Sequence, residues 1–564
     1  MRDSSNIHVG GHRSTTTLYR EPAYTPRRKI RVVTIGAGFS GLIFAHKLQH
    51  EQPALQGLVD HTILEARADL GGTWLVNRYP GVQCDVPAHI YAFPFDPKTD
   101  WSHFYATGPQ IQEYIKDTVQ KWTLDRDVRL NHKVTQTLWL EERSEWEIKV
   151  DTPDGEKTLY ADILVSGQGV LNSWRWPNIP GLERFQGHKC HSADWDQGYD
   201  YSNKTIGVIG NGSSGVQIIP QLAELPGTKV ICFQKSSNYV YTPFAPATLL
   251  GRDDASGNPA YTEEDKRKFR EDPEFHRDYR RKIIHNINAG FRRFIKDSPE
   301  NKQITEVARE QMRQRLHNDP YLCEKLIPEW GLACRRITPA EGYLEALQKP
   351  NVELVVQGVV SADEDCITSA DGQTFKVDVI ACATGFDVSW KPSWHMIGRN
   401  GVDLRQKWDA DPRAYLSIAA ADMPNYFMFL GPNAVVTHGS LIESINWSAD
   451  YFLKWIRKMA EEDIETIVPR ADVIDELIDY EDAVHQTMVW SDGCRSWFKR
   501  NTIHGRNVAG FGGSALLFRR LVEDLRPEDF DIKYRNANRW SFLGNGFTSF
   551  ELDTKNNLAW YVEK

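Results

Sequence analysis

Two glycine-rich runs stand out as groups that could handle phosphate. They are Gly36-Ala37-Gly38-Phe39-Ser40-Gly41 and Gly210-Asn211-Gly212-Ser213-Ser214-Gly215. In the first, Gly36 permits a tight turn, Gly38 lets the backbone approach a pyrophosphate, and Gly41 allows close packing of helix on strand. The free N–H groups at the N-terminus of the following helix then attract the anion. Glu65 lies about 24 residues beyond Gly41, the offset of an acid that binds a ribose hydroxyl. After the second run, Gln234, Lys235 and Ser236 occupy the place of that acid. A cation and a hydroxyl suit the extra phosphate of NADPH better than the bare ribose of NADH.

Such turns need a strand before them and a helix after them. Residues 29–35 form a short apolar run before the first turn, and residues 42–48 have helical character. Residues 62–64 read as the next strand. The pattern repeats at 205–209 and 230–233, with a helix from about Ser214. Residues 127–165 alternate as a small β-meander. Residues 262–327 are charged, poor in glycine and periodic, with Ile283, Ile284, Ile287, Phe291, Phe294 and Ile295 on one helical face. The expected fold is therefore α/β, with two Rossmann-like dinucleotide-binding domains and a helical insertion in the second. The expected divisions are a polar leader over 1–28, a first domain over 29–175, a second over 176–375 with its insertion at 262–327, and a return to the first over 376–564. A buried strand at 377–382 and a long helix at 441–461 belong to that return.

The chain has 564 residues, with 67 Lys and Arg against 76 Asp and Glu, a formal charge of −9. That balance argues against general nucleic-acid binding. No apolar run is long enough for a membrane span, and the leader lacks the apolar core of a signal peptide. A cytoplasmic protein is expected. The eight cysteines are scattered without a C-x-x-C pair, which suggests reduced thiols and neither a metal site nor a redox dithiol.

Between the two turns lies F-x-G-x-x-x-H-x-x-x-W, matched at Phe185, Gly187, His191 and Trp195. Residues 71–85 read G-G-x-W…Y-P-G-x-x-x-D, and Ala383-Thr384-Gly385 forms an A-T-G run. In this combination, over about 29–534, the chain resembles the Baeyer–Villiger monooxygenases, most closely in style the fungal secondary-metabolism members. The resemblance implies FAD in the first site, near Thr73, Trp74, Leu75, Val76, Asp85, Val86, Tyr91, Val134 and Leu441 as well as the glycines and Glu65. It implies NADP beside Gln83, Cys84, Asn211, Gly212, Ser213, Ser214, Gly215, Val216, Gln217, Lys235, Ser236, Arg335 and Trp497. Asn211 within the second turn, and Arg335 where many members carry lysine, depart from the usual pattern.

The resemblance also implies that Arg336 is catalytic, with Asp85 as its partner. Two adjacent arginines alone are ordinary surface chemistry. A guanidinium that cannot lose its proton is nevertheless suited to stabilising both an anionic C4a-peroxyflavin and the anionic adduct it forms with a ketone. The implied reaction consumes O2 and NADPH and turns a ketone, of a bulky secondary-metabolite kind, into an ester or lactone. The alternative is a sister enzyme that oxygenates nitrogen or sulfur. Flavin disulfide reductase and non-catalytic scaffold readings are disfavoured by the lack of a cysteine pair and by the intact glycines, Glu65, Asp85 and Arg336.

Overall fold

The computed structural model describes residues 20–242, 249–252 and 256–563. The leader expected over 1–28 therefore falls mostly outside the described residues. Its final part is fastened to the C-terminal segment: the Ala23 N–H donates to the Phe547 carbonyl (2.7 Å), and the Tyr24 ring packs on Phe542.

Two five-stranded parallel sheets organise the chain. The first has the order Tyr426–Met428, Ile163–Ser166, Ile30–Ile35, Val59–Leu64, Val128–Arg129. Ile30, Val32, Ile63, Ile163, Leu164 and Val165 are all buried. Near-continuous apolar runs of this kind form strands covered on both faces. Helix Phe39–His46, buried along its whole length, covers one face and meets helix Leu441–Glu461. The second sheet has the order Val352–Val355, Lys229–Phe233, Thr205–Ile209, Val379–Cys382, His188–His191. Both glycine turns thus leave the C-terminal end of a central strand, where ligands of parallel sheets bind.

The meander forms from Lys133–Leu140, Glu145–Thr152 and Gly155–Ala161, narrower than the expected 127–165, because Val128–Arg129 and Ile163–Ser166 join the first parallel sheet instead. A later strand, His395–Ile397, adds to its edge in parallel. The insertion is helical over Glu263–Glu271, Pro273–Ala289, Pro299–Arg315 and Pro320–Leu326. Each start is capped by a side chain, from Thr262, Asp272, Ser298 and Asp319 respectively, satisfying N–H groups that the helix itself leaves free. The single apolar face expected from Ile283 to Ile295 is not continuous. The helix ends at Ala289, Gly290–Phe294 forms a tight turn, and Ile295 is exposed. The turn redirects Phe291 and Phe294 away from the face that Ile283 buries.

The expectation of eight reduced thiols also fails. Cys334 and Cys494 form a disulfide with Cα atoms 6.1 Å apart, and six cysteines are free. Their separation of 160 residues hid the pair, since only the fold brings them together. No helix of the described residues is long and apolar enough to cross a membrane.

Candidate active site

The two glycine turns share one close approach. A Cβ on Gly41 would lie 2.1 Å from the Gly36 carbonyl oxygen, and one on Gly215 would lie 2.1 Å from that of Gly210. Both helices therefore start hard against their strands, with their free N–H groups facing the strand ends. Glu65 is buried beside the first turn. Its carboxylate accepts from the backbone N–H groups of Ala37 (2.9 Å) and Arg67 (3.0 Å), which fixes it while leaving lone pairs for a ribose hydroxyl.

A cavity of about 770 Å³ opens from this turn. Its walls include Gly36, Gly38, Glu65, Thr73, Trp74, Asp85, Val86, Tyr91, Val134 and Leu441. Trp74 Nε1 donates to Tyr91 Oη (3.3 Å), and the two rings meet edge to face. Leu75 and Val76 share the short helix Thr73–Val76 with Trp74 but are not part of the cavity wall. A largely apolar trench with a buried carboxylate and a glycine turn at its end fits FAD.

The same cavity reaches the second turn through Gln83, Cys84, Ser213, Gln217, Arg335 and Trp497. Tyr79 Oη donates to Gln217 Oε1 (2.9 Å), and Gln217 Nε2 donates to the Gln83 carbonyl (3.1 Å). The 71–85 segment is thereby bonded to the helix of the second turn. Cys84 is a buried thiol whose pKa burial pushes up, so it stays protonated. Asn211, Gly212, Lys235 and Ser236 lie just past the strand ends and Ser214 and Gly215 in the first turn of helix Ser213–Ala223, all beyond the cavity wall, and the Val216 side chain is in the core. Asn211 Nδ2 bridges Gln234 Oε1 (3.0 Å) and the Ser236 carbonyl (2.8 Å).

Arg335 Nη1 donates to Ser236 Oγ (3.3 Å) and forms no ion pair among the described residues. Burial lowers its pKa. A partly buried guanidinium without a carboxylate, bonded to the Ser236 hydroxyl, fits a 2′-phosphate; the exposed Lys235 side chain lies along Gly358 instead. Arg336 turns the other way. Its Nε and Nη2 grip Asp85 Oδ2 and Oδ1 at 2.5 and 2.7 Å, and its Nη1 donates to the Val436 carbonyl at 3.1 Å. The Asp85 charge raises the Arg336 pKa despite burial. Ala333, two residues before Arg335, has φ +75°, a left-handed backbone rare for alanine and typical of constrained sites. The Cys334–Cys494 disulfide ties this segment to the one that carries Trp497.

The Phe185–Asp196 stretch does not line the cavity. It bridges the connections between the sheets instead. The Ala193 N–H donates to His191 Nδ1 (3.1 Å), which leaves the proton on Nε2 to donate to Thr384 Oγ1 (3.2 Å). Trp174 stacks on the His191 ring at 4.4 Å, and Trp195 stacks on Tyr201 at 4.9 Å. Burial lowers the His191 pKa to about 4. Sequence reasoning missed Val436, His438, Phe294, Arg293 and Trp490, all of which line the cavity. The nearest available signal was the polar Thr437-His438 pair just ahead of Leu441.

Comparison with known proteins agrees with this geometry. Residues 34–107 match the NAD(P)-binding Rossmann-like domain family. The FAD-binding monooxygenase tazF of Aspergillus terreus is 38% identical over 568 residues, spanning 100% of each chain. A Baeyer–Villiger monooxygenase of Pseudomonas aeruginosa is 30% identical over 527 residues, 93% of this chain and 95% of the relative. The NADP+-bound crystal structure of cyclohexanone monooxygenase from Rhodococcus sp. Phi1 superposes with a TM-score of 0.76 at 26% identity, covering 90% of this chain and 99% of that one. The chain belongs to the Baeyer–Villiger monooxygenases, the FAD- and NADPH-dependent enzymes that insert oxygen beside a ketone carbonyl.

Proposed function

We propose that this enzyme converts a bulky secondary-metabolite ketone to an ester or lactone, with Arg336 as the catalytic cation and Asp85 as the residue that positions it. The observation that carries the reading is the bidentate Arg336–Asp85 pair, set in the wall of a cavity that reaches both glycine turns. FAD would lie along Gly38, Glu65, Trp74, Tyr91 and Val134, and NADP along Gln83, Gln217, Arg335 and Trp497. Bound FAD, once reduced by NADPH, supplies activated oxygen from O2.

The chain's own contribution is orientation, exclusion of water and charge. Asp85 uses both oxygens on Nε and Nη2, and Val436 accepts from Nη1, so the guanidinium plane is fixed before substrate arrives. Its charge persists at every working pH and stabilises negative charge developing on the substrate carbonyl oxygen without donating a proton to it. Trp74 and Tyr91 keep that part of the trench apolar. The reading also assigns the enzyme to the cytoplasm. Its test is product analysis after incubation of FAD-loaded protein with NADPH, air and a panel of cyclic and aryl ketones. Ester or lactone product supports it. Oxygenation of amines or thioethers in place of ketones sinks it.

A further inference from the structure

His438 is buried, with 8% of its surface exposed, and lines the cavity. Its ring nitrogens make no hydrogen bond within the described protein. The imidazole sits against the rings of Phe291 (4.9 Å) and Phe294 (5.5 Å), and Phe294 in turn meets Trp490 (5.8 Å). Arg293, from the same tight turn as the two phenylalanines, also faces the cavity and forms no ion pair among the described residues. A buried polar ring without a partner is costly unless a ligand completes its hydrogen bonds. Its place is close to the reacting centre in the chain: His438 follows by two residues the Val436 carbonyl that holds Arg336.

From this juxtaposition we propose that His438 is a specificity-determining residue, which hydrogen-bonds a phenolic hydroxyl on an aryl ketone substrate. A neutral imidazole donates from one nitrogen and accepts at the other, so it suits a hydroxyl, which also does both. The Phe294 and Trp490 rings, which line the cavity, offer flat apolar surface to the aryl body, Phe291 backs the imidazole, and the Arg293 cation favours an acidic oxygen over an ether or alkyl group. The proposal rests on the ketone-oxygenating reading and names the substrate class for that site.

The test is binding to the oxidised holoenzyme with FAD and NADP+ in place, followed through the flavin absorbance, so that it stands apart from turnover. The probes are para-hydroxyphenylacetone and phenylacetone. The wild type is expected to bind the hydroxylated ketone roughly tenfold more tightly, the range of a single well-made hydrogen bond. His438→Leu is expected to bind both alike, and His438→Gln, whose amide also donates and accepts, to keep most of the difference. Equal binding by the wild type, no binding of either probe, or a preference that survives His438→Leu overturns the proposal. Selective binding without conversion of either ketone counts against the oxygenation reading alone.

Discussion

Asp85 and Arg336 are 251 residues apart in sequence and form a two-point ion pair, at 2.5 and 2.7 Å, in the wall of the cavity that joins the two nucleotide turns. The pair links the segment after the first turn to the segment after the helical insertion. Arg336→Ala is expected to leave reduction of the bound flavin by NADPH in place and to lower ketone oxygenation by a factor of about a hundred or more, roughly 3 kcal/mol of barrier. Asp85→Ala should slow oxygenation as well, by freeing the guanidinium that Asp85 orients. Stopped-flow traces of flavin reduction and product yields separate the two steps. Loss of reduction with oxygenation per reduced flavin unchanged would contradict these roles.

Arg335 points away from that pair towards Ser236. Arg335→Ala is expected to raise the KM for NADPH by about tenfold or more while leaving that for NADH nearly unchanged, since one charge-assisted bond to phosphate is worth about 1.5–3 kcal/mol. Arg335→Lys should recover part of the loss, as a point charge without the planar fork. Equal effects on both nucleotides would show that Arg335 does not read the 2′-phosphate.

The Cys334–Cys494 disulfide joins the arginine segment to the Trp497 segment. Alkylation of the denatured protein should label six thiols without reductant and eight with it. Cys494→Ser, or reduction, is expected to lower the melting temperature, in keeping with about 2–4 kcal/mol for a bridge that closes a long loop. Eight labelled thiols without reductant would show that the bridge does not form.

Several buried groups set the pH dependence of stability. Burial lowers the pKa of His61 and of His191 from 6.5 to about 4. Between those values the unfolded chain binds protons that the folded chain refuses. Their contribution is fully present above pH 6.5 and is lost as pH falls towards 4. Glu481 acts in the opposite sense, because burial raises its pKa from 4.5 to about 8. Its contribution is present below pH 4.5 and is lost as pH rises through 8. Thermal melts should show a falling Tm from pH 6.5 to 4, and Glu481→Gln should melt higher than the wild type at pH 8. In Glu481→Gln, which removes the opposing carboxyl, a Tm independent of pH below 6.5 would contradict the buried neutral imidazoles.

Much of the frame was legible in the sequence. Each glycine turn lay between an apolar strand and a helix, and these are local patterns with a physical cause. The long helix from Leu441 to Glu461 was likewise readable. What stayed hidden depended on distant contacts. The F-x-G-x-x-x-H-x-x-x-W stretch carried the family resemblance, but nothing in it told where it sits: His191 bonds Thr384 across the inter-sheet connections and does not face the cavity. Periodicity carried the insertion's apolar face through Gly290, where the chain in fact turns and sends Phe294 to the cavity. The Cys334–Cys494 bridge has no local signature at all.

Anaerobic reduction of the FAD-loaded enzyme by NADPH, followed by mixing with oxygenated buffer and an aryl ketone, with absorbance and product followed together, tests catalysis by Arg336 most directly. NADPH-dependent bleaching of the flavin is expected, then reoxidation accelerated by the ketone with ester or lactone formed, and loss of that product in Arg336→Ala. Flavin that NADPH does not reduce, or reoxidation indifferent to every ketone and accelerated by amines or thioethers, would contradict it.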